Sequence, residues 1–113
     1  MPVPTLSQRR TNQARTDDGA TPLFIASEKG HLDLDIAKIL IEAGADVNQA
    51  KFDNGTPLYR ATESGHVGIV KLLLNVNGID INKKLHGKFS PLMKAKKAKH
   101  DEIIQLLTDS GAQ

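Results

Sequence analysis

The chain has 113 residues, enough for one domain, and its 39% apolar and 25% charged content argues against wholesale disorder. It contains no Cys, which excludes disulfides, Cys-ligated zinc, iron–sulfur clusters and thiol catalysis. The net charge of +2 is unevenly spread: residues 1–15 carry +3, 16–82 carry −5 and 83–113 carry +4, unlike a uniformly basic nucleic-acid binder. With 13 Leu, 9 Ile and 5 Val against one Tyr, three Phe and no Trp, any core must be aliphatic. No apolar run is long enough to span a bilayer, and residues 1–15 lack a signal-peptide stretch. An intracellular location, cytoplasmic or nuclear, is therefore expected.

Residues 1–11 place Pro2 and Pro4 among polar side chains and are expected to form a poorly ordered tail. From there on the chain repeats itself. Thr21-Pro-Leu-Phe-Ile-Ala26 returns as Thr56-Pro-Leu-Tyr-Arg-Ala61, 35 residues later, and as Ser90-Pro-Leu-Met-Lys-Ala95 after another 34. Gly30-His31 becomes Gly65-His66 and then Lys99-His100, while Gly44-Ala-Asp-Val-Asn48 is echoed by Gly78-Ile-Asp-Ile-Asn82 and ends as Gly111-Ala112. Each hydroxyl residue is an N-cap, and the Pro after it suits the first helical position, where no N–H is needed. A short helix then runs to a glycine able to turn left-handed. A second helix follows, apolar at Ile69, Val70, Leu72, Leu73 and Leu74 in the middle unit and at Ile103, Ile104, Leu106 and Leu107 in the last. Asp53-Asn54-Gly55 is a turn signal suited to a projecting hairpin between units. Helix pairs of this kind cannot bury both faces alone and must stack.

The pattern Gly-x-Thr-Pro-Leu-x-x-Ala, Gly-His, Leu-Leu, Gly-Ala-Asp-Val-Asn resembles the ankyrin repeat, a helix–turn–helix–hairpin unit of about 33 residues. The resemblance covers residues 12–113, as units of about 16–50, 51–84 and 85–113. It implies an all-α solenoid with short inner helices, longer outer helices and hairpin fingers, and a non-enzymatic protein-binding role. Unit one carries two extra residues after His31, and unit two carries one near Asn75-Val-Asn-Gly78. Lys99 stands where a helix-ending Gly is expected, at a cost of about 1 kcal/mol for a left-handed Lys. Lys94, Lys96 and Lys97 give unit three the polar face of a terminal cap. Asn12-Gln-Ala-Arg15 matches Asn48-Gln-Ala-Lys51, so the chain begins in register inside a preceding hairpin. Two expectations follow. Either the chain is a fragment of a longer structural repeat array, or a naturally truncated one, that lacks its N-terminal cap and frays or self-associates through its first unit, or the tail folds back over Leu23 and Ile25 with Val3 and Leu6.

No catalytic constellation emerges. His31, His66 and His100 occupy one repeat slot, a whole unit apart, and are read as structural; no metal or cofactor site is expected. Gly87-Lys88-Phe89-Ser90 lacks the upstream Gly and following hydroxyl of a P-loop. The cluster Lys83, Lys84, Lys88, Lys94, Lys96, Lys97 and Lys99 is the best case for a nucleic-acid or acidic-lipid partner, but it lacks interleaved aromatics and suits a solubilising face. The resemblance places binding residues on the fingers (Asp17, Asp18, Lys51, Phe52, Asp53, Lys83, Lys84, Leu85, His86) and on the concave inner-helix face (Tyr59, Arg60, Glu63, Glu28, Lys29). Phe52, Tyr59 and Arg60 are the best interface anchors by residue type.

Overall fold

The computed structural model of the chain describes residues 19–29 and 34–113. The expectations for the N-terminal tail, for Asp17 and Asp18 and for the inserted residues after His31 lie outside them. The described residues form six helices: α1 (Pro22–Lys29), α2 (Leu34–Glu42), α3 (Pro57–Ser64), α4 (Val67–Leu74), α5 (Pro91–Ala98) and α6 (Asp101–Asp109). The inner helices α1, α3 and α5 pack in one row, and α2, α4 and α6 pack in a second row behind them. This is the expected all-α solenoid of stacked helix pairs.

Each inner helix starts where the hydroxyl predicts. Thr21, Thr56 and Ser90 accept the backbone N–H of Phe24, Tyr59 and Met93 at 3.2, 3.1 and 3.2 Å. Each bond satisfies one of the donors a helix N-terminus leaves unpaired. At the other end, Gly65 and Lys99 both turn left-handed, with φ of 77° and 60°. The next residue's N–H then reaches back five positions, His66 to Ala61 and His100 to Ala95, closing the helix in the same way twice. The conformation required of Lys99 is therefore the one a glycine would adopt more cheaply.

Unit two's extra residue loosens its second turn. In units one and three the outer helix ends with Ala45 N–H on Leu40 and Ala112 N–H on Leu107. In unit two no such five-residue bond forms; Val76 bonds Leu73 and Ile79 bonds Val76 as two successive tight turns.

Leu23, Leu58, Ile69, Leu73, Ile103 and Leu107 are almost wholly buried between the two rows, with Ala26, Ala61 and Ala95 letting inner and outer helices approach closely. The fingers are tight turns rather than extended hairpins. Lys51 N–H bonds Gly55 at 2.8 Å, and Leu85 and Phe89 form one antiparallel bridge. Asn48 ties one unit to the next: its amide donates to the Gly78 carbonyl at 2.8 Å and accepts the Asp80 N–H at 2.7 Å. Asn82, one unit on, accepts the Gln113 N–H at 2.9 Å.

Candidate protein-binding face

The inner helices present positions 24, 25 and 28 of unit one, and their equivalents, toward the fingers. A chain of charge crosses this face. Arg60 on α3 bonds Glu28 on α1 at 2.8 Å and also pairs with Glu63 one turn along its own helix. The second oxygen of Glu63 lies 3.6 Å from Lys94 Nζ on α5, so all three inner helices are linked. Burial alone would lower the Arg60 pKa, but its hydrogen bonds to Glu63 and Glu28 and their charges outweigh it and raise the pKa further.

Behind this chain the histidines act between units. His66 Nε2 donates to the Glu28 carbonyl at 3.0 Å and His100 Nε2 to the Glu63 carbonyl at 3.4 Å, each reaching the C-terminal end of the preceding inner helix. A carbonyl only accepts, so each bond fixes the ring with its proton on Nε2. The repeated histidine slot is thus a joint between neighbouring units.

Two hollows lie side by side on the face, divided by Tyr59, Glu63 and Leu85. The first, of about 280 Å³, sits at the junction of units one and two and is walled by Glu28, Lys51, Asp53 and Arg60. The second, of about 380 Å³, sits at the junction of units two and three and is walled by Leu85, Phe89, Met93, Lys94 and Lys97. Phe89 is 42% exposed and Met93 48% exposed, so its apolar wall is open to solvent.

The residues expected to bind divide accordingly. Phe52 stands 72% exposed on its finger, one ring edge resting against the backbone of Gly19, where a Cβ would come within 2.9 Å of the ring. Tyr59 departs from expectation: it is buried, only 5% exposed, at the divide between the two hollows, where Leu85 also stands. Burial first, then the charges of Glu63 and Asp53, push its phenol pKa above the ordinary 10.0. Arg60 is half-buried and held by its two carboxylates instead of standing free as an anchor. Lys51 is half-buried beside Asp53 and lies over the Phe24 ring at 5.1 Å. Asp53 also accepts the Gly55 N–H, and its carbonyl accepts the His86 N–H, which binds the two fingers together. Lys29, Lys84 and His86 are exposed, while Glu28, Glu63, Lys83 and Leu85 are half-buried.

Sequence reasoning did not single out Phe89 or Met93 as binding residues. Met93 occupies the slot of Phe24 and Tyr59, and a bulky side chain recurring at that slot in all three units was the available signal; of the three only Met93 is exposed.

A family model for ankyrin repeats matches residues 4–85 and 50–113. The chain belongs to the ankyrin repeat family. Ankyrin repeats are in general protein–protein interaction modules and typically non-enzymatic. No curated protein gives a significant match to this ankyrin chain. Among the described residues no helix is long and apolar enough to cross a membrane, and no group of three or more His, Asp or Glu side chains could hold a metal ion.

Proposed function

We propose that this ankyrin-repeat chain is a non-catalytic scaffold or adaptor that binds another protein through its fingers and inner-helix face, in an intracellular compartment. The observation that carries this reading is the open apolar surface on that face, Phe52 at one end and Phe89 with Met93 at the other, mounted on a backbone already fixed by caps and inter-unit bonds. Apolar side chains held open on a rigid frame bury area on binding at small ordering cost.

Substituting Phe52→Ala and Met93→Ala together is expected to weaken the principal partner by about 1–4 kcal/mol in a calorimetric titration while leaving helicity unchanged. Unchanged affinity with an intact fold would remove the binding site from this face. A second reading, anion binding by the C-terminal lysines, draws on one observation: Lys83, Lys84, Lys88, Lys96, Lys97 and Lys99 form no ion pair among the described residues. Binding to phosphates would fall steeply with added salt as counterions are released, whereas binding anchored by Phe52 and Met93 would fall far less.

A further inference from the structure

The open hollow between units two and three has chemistry that narrows the partner. Its floor and finger wall are apolar, formed by Leu85, Phe89 and Met93, and its volume of about 380 Å³ is large enough to seat a bulky side chain. Its rim is cationic. On α5 Lys97 follows Lys94 by three residues and Met93 by four, so it neighbours both, and all three line the hollow. The one acid in the lining, Glu63, is already divided between Arg60 and Lys94. Lys97 is exposed and has no carboxylate partner among the described residues. Between Asp80 and Asp101 the sequence contains seven lysines and no acid, so the chain that supplies the finger wall and α5 carries only positive charge.

The finger wall is also preorganised. Leu85 and Phe89 exchange backbone bonds at 2.8 and 3.1 Å, and His86 N–H is anchored on the Asp53 carbonyl of the neighbouring finger at 2.8 Å. A guest would find the apolar wall already in place.

We propose that this hollow binds a linear acidic protein segment that inserts one bulky apolar side chain between Phe89 and Met93 and sets adjacent carboxylates against Lys97 and Lys94. The proposal rests on the protein-binding reading and names the partner's chemistry. An anion without an apolar anchor would use the lysines but leave the hollow empty, which is why a peptide fits the site better than a phosphate backbone or a lipid headgroup.

The test is a selection of random linear peptides displayed on phage against the full chain, followed by fluorescence anisotropy with a selected peptide made as a capped synthetic. The selected peptides are expected to share a Phe, Leu, Ile or Trp next to Asp or Glu. Affinity is expected to fall about tenfold in Phe89→Ser/Met93→Gln and about tenfold in Lys94→Gln/Lys97→Gln, with the fold of each variant checked by circular dichroism. Changing the peptide's acids to Gln should weaken binding to the native chain and have little effect on the lysine double variant. Peptides without acids, or peptides sensitive to Phe52→Ala but indifferent to both groove variants, would overturn this assignment and leave the protein-binding reading standing. A selection that yields no binder would overturn it as well. If an RNA oligonucleotide or a phosphatidylserine vesicle then bound through the same lysines, the protein-binding reading would fall with it.

Discussion

The two hollows on the inner-helix face occupy equivalent places in one repeated backbone and yet differ in character. At the first, Glu28 meets Arg60, Lys51 lies over Phe24, and Phe24 itself is buried under the finger that follows. At the second, the slot of Ile25 and Arg60 is filled by Lys94, the slot of Glu28 and Glu63 by Lys97, and the slot of Phe24 and Tyr59 by Met93. Three substitutions at fixed repeat positions exchange a smaller hollow walled mainly by charged side chains for a larger one with an apolar wall and a cationic rim. The backbone places side chains; the residues at a few slots decide whether neighbours consume them or leave them for a partner.

The largest expected effect comes from breaking the joint behind the second hollow. Gly65 is left-handed, and a Cβ there would stand 3.0 Å from the His100 ring. Gly65→Ala is expected to destabilise the chain by about 2 kcal/mol in urea denaturation, from backbone strain and displacement of that ring. Lys99→Gly, at the matching position of unit three, should instead be neutral or stabilising by up to about 1 kcal/mol. Equal and opposite results, or none at either site, would mean that the His slot does not couple these units.

A smaller difference should separate the two charge junctions. Arg60→Met leaves Glu28 and Glu63 without their shared partner and is expected to cost about 1–2 kcal/mol. Lys94→Met removes a single, longer contact of 3.6 Å, while Glu63 keeps its bond to Arg60, and should cost about 0–1 kcal/mol. If Lys94→Met proved the more damaging, the second junction would be the one held by charge, contrary to the geometry.

The smallest effect is a titration at the divide between the hollows. Tyr59 is the chain's sole tyrosine, so phenolate absorbance reports on it alone. Its midpoint should lie above 10.0 in the folded chain and return to the ordinary value in urea. Because the folded pKa is the higher one, this contribution to stability is full below about pH 10 and is lost as pH rises through the folded value. Tyr59→Phe should remove that part of the alkaline decline. Coincident midpoints in folded and unfolded chains would show that the ring is open to solvent.

What the sequence made legible was whatever depends on a few adjacent residues. The hydroxyl–Pro starts, the left-handed Lys99 and the structural role of the histidines at 66 and 100 all follow from local chemistry repeated in frame. The site was harder to read because exposure there depends on a neighbouring unit. Arg60 is held by Glu28, 32 positions away, and Tyr59 is buried where Leu85 of the next finger lines the same hollow. Periodicity assigns both to the inner-helix face without saying what reaches over them. Met93 is the converse case: it sits among lysines that suit a solubilising face, while its slot mates Phe24 and Tyr59 in the other units are buried. The fingers carried hairpin signals at Asp53-Asn54-Gly55, but the Asn54 and His86 left-handed turns close them too tightly for a ladder.

The Asn48 side chain has a consequence beyond holding two units together. A carboxamide that both donates to one backbone group and accepts from another reads a spacing, since Gly78 and Asp80 must present their carbonyl and N–H at a fixed separation for both bonds to form. Any backbone that keeps that separation satisfies it, whatever side chains the rest of the unit carries. The amide therefore works as a gauge between modules. A unit transplanted with its own asparagine and its Gly-x-Asp segment should seat at the same pitch, leaving the residues of its inner helix free to vary with the partner to be bound.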